Sequence, residues 1–190
     1  MSANVVLASC GVVLWATWAN ALSEELAARL LGVWAPDLGI VLLVVFAARV
    51  RTSYLPWLAP VLALARCASS IEPLFAELAA CLGAVGAVRA LRAGLDLTPR
   101  LALAAATGAI AAGWTVWLAW IAQLRVDEHF QRAALDAPAT LAGWRAALEF
   151  APGALSSALA ALLLAPLVRR LPGLSVLEGR RPWQVAASLR

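Results

Sequence analysis

The run Leu101–Ala122, LALAAATGAIAAGWTVWLAWIA, holds twenty-two residues without one charged side chain. As a helix it covers about 33 Å at 1.5 Å per residue, enough to cross the ~30 Å hydrocarbon core of a bilayer. A helix that is apolar all the way round needs an apolar environment. The rest of the chain agrees: of its 190 residues 63% are hydrophobic and 14% charged, with a mean hydropathy of +0.84, whereas a soluble domain carries about 25% charged residues. The expected fold is therefore all-α, a polytopic integral membrane protein with a single transmembrane domain over residues 1–190.

Five further apolar stretches flank the decisive one. The first, Ala3 to Leu22, carries no charge, and Met1 to Asn4 has no basic side chain, so it reads as a retained span rather than a cleaved signal peptide. Ser23 is expected to cap a short helix from Glu24 to Leu31, which Pro36 breaks. The second span, Leu38 to Ala48, is short, and is expected to borrow Leu30 to Ala35 or to deform the bilayer locally. A third, Tyr54 to Ala65, is also too short for an upright span and contains Pro56 and Pro60, which predicts a thin, kinked or partly re-entrant helix. The fourth runs to about Val88 with Pro73 in its first turn, where a missing N–H costs little. The last, Ala151 to Val168, stops at Arg169 and Arg170.

Charge placement turns these stretches into a topology, because cytoplasmic loops are enriched in basic residues. With the N-terminus inside, six spans place ten arginines on inner segments (Arg49, Arg51, Arg89, Arg92, Arg100, Arg169, Arg170, Arg180, Arg181, Arg190) and five on outer ones. The acids Glu24, Glu25, Asp37, Asp127, Glu128 and Asp136 fall outside. Six transmembrane helices with both termini cytoplasmic is the self-consistent reading. It leaves an outer loop at 125–149, in which Leu141, Trp144 and Leu148 predict a short interfacial helix, and a short basic cytoplasmic tail at 173–190.

The sequence pI near 9.8 comes from arginines set singly or in pairs between apolar runs, a topology signal rather than a nucleic-acid surface. Cys10, Cys67 and Cys81 lie in or beside apolar spans without metal or disulfide spacing. Glu24-Glu25-Leu-Ala-Ala-Arg29 matches the EExxxR opening of intramembrane CAAX-protease-like enzymes. That chemistry needs two histidine motifs, and this chain has one histidine, His129. No GxSxG, P-loop or GxGxxG occurs, so no catalytic residue, cofactor or metal is expected.

An ionisable group in hydrocarbon costs ~2.5–3.5 kcal/mol on insertion scales and finds a partner, which singles out Arg66, Glu72 and Glu77. They read as an ion pair within a helix or hairpin near the outer interface, or as a polar contact with a partner helix or small ligand. Trp114, Trp117 and Trp120 form a stripe in the fifth span, with Trp15 and Trp18 at similar depth in the first. Interfacial anchoring explains them; a partner-binding aromatic face is the alternative. Two small-residue stripes, Ala79-Gly83-Ala87 and Ala105-Ala109-Gly113, would let helices approach closely.

From Ala35 onward the order Ala35-Pro36-Asp37-Leu38, apolar span, Arg49 to Arg51, short third helix, then Leu64-Ala65-Arg66-Cys67-Ala68-Ser69-Ser70-Ile71-Glu72-Pro73-Leu74 resembles the bacterial rod shape-determining MreD family. That family joins its third and fourth helices by G-L-L-x-D-x-x-S-x-x-P-L-G; Ser70, Pro73 and Leu74 match, while Cys67 stands at the acidic position and Phe75 at the last glycine. The resemblance covers most of the chain. It implies a non-enzymatic scaffold in the bacterial inner membrane that binds the single-span protein MreC and supports peptidoglycan synthesis by its elongation-complex partners. The candidate partner-contact residues are then Arg66, Glu72, Pro73, Glu77 and the outer tryptophans. The family's fold is similar to that of the substrate-binding subunits of energy-coupling-factor transporters, which supplies the alternative of a vitamin- or metal-binding transporter subunit. Such a subunit would carry an AxxxA face in its first span, and none occurs between Ala3 and Leu22. Whether the chain acts as a monomer or a homodimer is left open.

Overall fold

A computed structural model describes residues 3–67, 74–124, 144–168, 170, 171 and 177 of the chain. All elements among them are helical: α1 (Ala3–Leu26), α2 (Leu38–Arg49), α3 (Leu55–Cys67), α4 (Leu74–Gly94), α5 (Arg100–Leu124) and α6 (Trp144–Val168). Four segments are long and apolar enough to cross a membrane: Val6–Trp34, Leu74–Gly94, Arg100–Leu118 and Ala151–Val168. With 12 and 13 residues, α2 and α3 extend only about 18 and 20 Å.

In α1 and α6 small residues face the core and large apolar ones face outward. Along α1 the buried stripe is Ala8, Val12, Ala16 and Asn20, while Leu7, Leu14, Trp18 and Leu22 face outward. In α6 the buried stripe is Ala154, Ser157, Ala161 and Ala165, and the exposed one is Leu155, Leu159, Leu163 and Leu167. When the solvent is itself apolar, association is driven by close packing of small residues, and large side chains stay in the lipid. Gly108 of α5 shows the closeness: a Cβ there would lie 3.2 Å from the Ala158 Cβ and 3.4 Å from the Ala154 carbonyl oxygen of α6.

At the centre lies α2. Every residue from Leu38 to Ala47 is buried, because α1, α4, α5 and α6 surround it. An all-round apolar sequence of β-branched and leucine side chains suits such a position, since no face needs to be polar. The ends of a short buried helix are harder to satisfy, as four N–H and four C=O groups lack intrahelical partners. Here its own N-cap and residues of other helices supply those partners. The Asp37 carboxylate accepts from Ile40 N at 2.9 Å, and the Ser23 hydroxyl accepts from Leu38 N at 2.8 Å. At the far end Arg92 of α4 donates Nη1 to the carbonyls of Ala47 and Val50, both at 2.9 Å.

Several expectations change in detail. Ser23 does not open a separate helix: α1 continues through it to Leu26, its hydroxyl donates to Ala19 O, and the cap it provides is to α2. Leu30 to Ala35 are not borrowed by the second span. Ala27–Leu31 form a widened helical turn and Gly32–Trp34 a tight one, joined at Gly32, whose φ of +53° favours a residue without a side chain. The last helix starts at Trp144, so Trp144 to Glu149 are continuous with it; Leu141 lies outside the described residues. In the basic tail the described residue is Leu177, which is buried and accepts from Arg51 N at 3.1 Å.

Candidate functional site

Three helix ends meet on Arg66. This arginine sits in the last turn of α3, Glu77 in the first turn of α4, and Asp37 at the N-cap of α2. Each charge therefore occupies the helix end whose dipole complements it, cation at a C-terminus and anions at N-termini. Arg66 Nη1 donates to both carboxylate oxygens of Asp37, at 2.9 and 3.0 Å, and its Nε donates to Glu77 Oε2 at 3.2 Å. The guanidinium also lies over the Trp114 ring, with Cζ 4.7 Å from the centroid, a cation–π contact from α5. Side-chain exposure is 16% for Arg66, 31% for Asp37 and 1% for Glu77, so the cluster opens only on the Asp37 side.

Backbone and neighbouring helices fix this arrangement. The Asp37 amide donates to the Ser157 hydroxyl at 2.9 Å, and Ser157 in turn donates to Gly153 O at 2.7 Å, which ties α6 to the start of α2. Gly39 is required by contact rather than by backbone angle. A Cβ at Gly39 would fall 1.9 Å from Asn20 Oδ1 and 2.9 Å from Arg66 Nη1. The missing side chain lets the Asn20 amide of α1 reach the cluster.

Three of the helices extend past the cluster. Past it, α1 continues six residues from Asn20 to Leu26, α5 ten residues from Trp114 to Leu124, and α6 begins thirteen residues before Ser157, which corresponds to roughly 9, 15 and 20 Å of helix. A buried polar group without a partner costs on the order of 1–3 kcal/mol. Four buried atoms here have no hydrogen-bond partner among the described residues: Asn20 Oδ1 and Nδ2, Glu77 Oε1 and Trp114 Nε1.

Of the residues expected from sequence, Arg66, Glu77 and Trp114 come together. Glu72 and Pro73 lie outside the described residues, as does the side chain of Trp120. Trp117 is engaged elsewhere: its Nε1 donates to Ala76 O at 3.1 Å and joins α5 to α4. Trp15 packs half-buried against the core, while Trp18 is exposed. Asp37, Asn20, Ser157 and Gly39 are additions. The signal for Asp37 was present, an acid directly before an apolar run being an N-cap signature. Asn20 had a weaker one, as a carboxamide inside an uncharged span.

The small-residue stripes fall on the outer surface. Ala79, Gly83 and Ala87 of α4 and Ala105, Ala109 and Gly113 of α5 are all exposed, and a Cβ at Gly83, Gly86 or Gly113 would meet nothing within 4 Å. No protein-family model, curated protein or solved structure matches the chain.

Proposed function

We propose that this chain is an MreD-like, non-enzymatic scaffold of the bacterial cell-elongation machinery. In this reading it crosses the inner membrane six times with both ends cytoplasmic, binds an MreC-like single-span partner by helix contact, and supports peptidoglycan synthesis by other members of the complex. The observation that carries the reading is the pair of outward-facing small-residue stripes on α4 and α5. Bare helix backbone gains little from lipid but permits close approach of another helix. The residue order from Ala35 to Leu74 gives the reading its family.

A photo-crosslinking residue at Gly83 or Ala109, used in native membranes, is expected to capture a single-span protein with a large extracytoplasmic domain. Gly83→Leu is expected to reduce co-purification of that protein without lowering the stability of this chain. Capture of lipid alone, or unchanged co-purification, would refute the reading. The recessed polar cluster is the observation that favours the alternative, a membrane subunit binding a vitamin or metal for transport, and a bound molecule carried through purification would support it instead.

A further inference from the structure

The Asp37–Arg66–Glu77 cluster is satisfied as an ion pair but not as a set of polar atoms. Arg66 holds both oxygens of Asp37 and only Oε2 of Glu77, leaving Oε1 buried without a partner among the described residues. Asn20 is 95% buried by its 5% exposure, and both ends of its amide are likewise unpartnered. Its oxygen is directed at the cluster, since the space above Gly39 lies 1.9 Å from Asn20 Oδ1 and 2.9 Å from Arg66 Nη1. Among the described residues two carboxylates face one guanidinium, so as ionised groups they carry one negative charge in excess.

We propose that this recess binds one small monovalent cation, an alkali ion or a primary ammonium group, against Glu77 Oε1 and Asn20 Oδ1. Water alone would satisfy the unpaired atoms but leave the charge; a divalent ion would overshoot it. The cation meets the Glu77 oxygen that Arg66 does not use, and Asp37 is the most exposed member of the cluster. Water completes the shell, as buried polar sites of this kind ordinarily require. The binding site stands apart from the scaffold reading, because it uses the interior end of α2 rather than the outer faces of α4 and α5.

The test is the thermal stability of the full chain in detergent, titrated with sodium or ammonium chloride against choline chloride at constant ionic strength. Choline keeps the charge but is too bulky and has no N–H. Sodium or ammonium is expected to raise Tm saturably, by about 5–11 °C at a hundredfold excess over half-saturation, and Glu77→Gln is expected to abolish the response. An equal shift in choline, or a full response in Glu77→Gln, overturns the proposal; if that variant does not fold, a full response in Asn20→Ala does the same. Vesicles of phosphatidylcholine and of phosphatidylethanolamine, compared in choline buffer, separate the sources. Stabilisation by phosphatidylethanolamine that sodium cannot increase assigns the ammonium to a lipid headgroup, and stabilisation by sodium in both lipids assigns a free ion. No response in either lipid overturns the proposal.

Discussion

Replacing Arg66 by alanine should be the most damaging single change in the interior, and the size of its effect can be worked from its two ion pairs among the described residues. Removing one partner of a buried pair costs about 3–5 kcal/mol, because the remaining charge is stranded. The penalty falls unequally on the two acids. Asp37 is about a third exposed and keeps its bond from Ile40 N, so its share is reduced toward the ~1 kcal/mol of a surface pair. Glu77 is 1% exposed and would lose its partner outright, which gives it most of the cost. Arg66→Ala is therefore expected to lower stability by about 4 kcal/mol, a fall in Tm of roughly 8–16 °C for a chain of this size. Adding Glu77→Gln removes the stranded charge, so the double variant should recover about half of the loss. Thermal unfolding of the purified chain in detergent measures both. A loss below about 1 kcal/mol for Arg66→Ala, or a double variant no more stable than the single one, would refute the assignment of Arg66 as the counter-charge of Glu77.

Gly39→Ala should destabilise the chain by about 1–3 kcal/mol through overpacking, since its Cβ would enter the space held by Asn20 Oδ1; Asn20→Ala in the same chain should relieve most of it in the same melting assay. Arg92→Ala strands the carbonyls of Ala47 and Val50 and should cost about 1–3 kcal/mol, with faster amide hydrogen exchange confined to the C-terminal turn of α2. Trp114→Phe keeps a ring under Arg66 and removes an unpartnered N–H, so its stability should be unchanged or higher by up to about 1 kcal/mol; a loss above that value would show that the N–H has a partner.

The helical, membrane-type character of the chain was legible because uncharged runs such as Leu101–Ala122 have a single physical interpretation. Arg66 and Glu77 were legible for a related reason, as ionisable residues next to hydrocarbon must find partners. Their shared partner was not. Asp37 precedes Arg66 by twenty-nine positions, and no local pattern states that α3 returns to the level at which α2 starts. The same limit applies to Ser23, whose sequence context is that of a cap for the residues after it. Its hydroxyl instead caps α2, fifteen positions on, because α1 continues unbroken and no free helix start follows Ser23. The small-residue stripes were visible as spacing, but which side of a helix they occupy depends on where its neighbours sit.

The shortness of α2 explains why so many polar groups lie inside an apolar protein. A helix of full span exposes its unpaired amides and carbonyls at the headgroups, where water meets them. At about 18 Å, α2 leaves both ends inside the bundle, and an unsatisfied backbone group in hydrocarbon costs several kcal/mol. Asp37, Ser23 and Ser157 meet that demand at one end, and Arg92 at the other. Asp37, half-buried as a cap, is held by Arg66, and Arg66 lies where Glu77 can also reach it. The first requirement is structural, and a hydrophobic residue of similar size at Glu77 would meet it as well. What capping does not explain is the second carboxylate and the unpaired Asn20 beside it, and those two residues are where a bound cation accounts for side chains that the fold alone does not require.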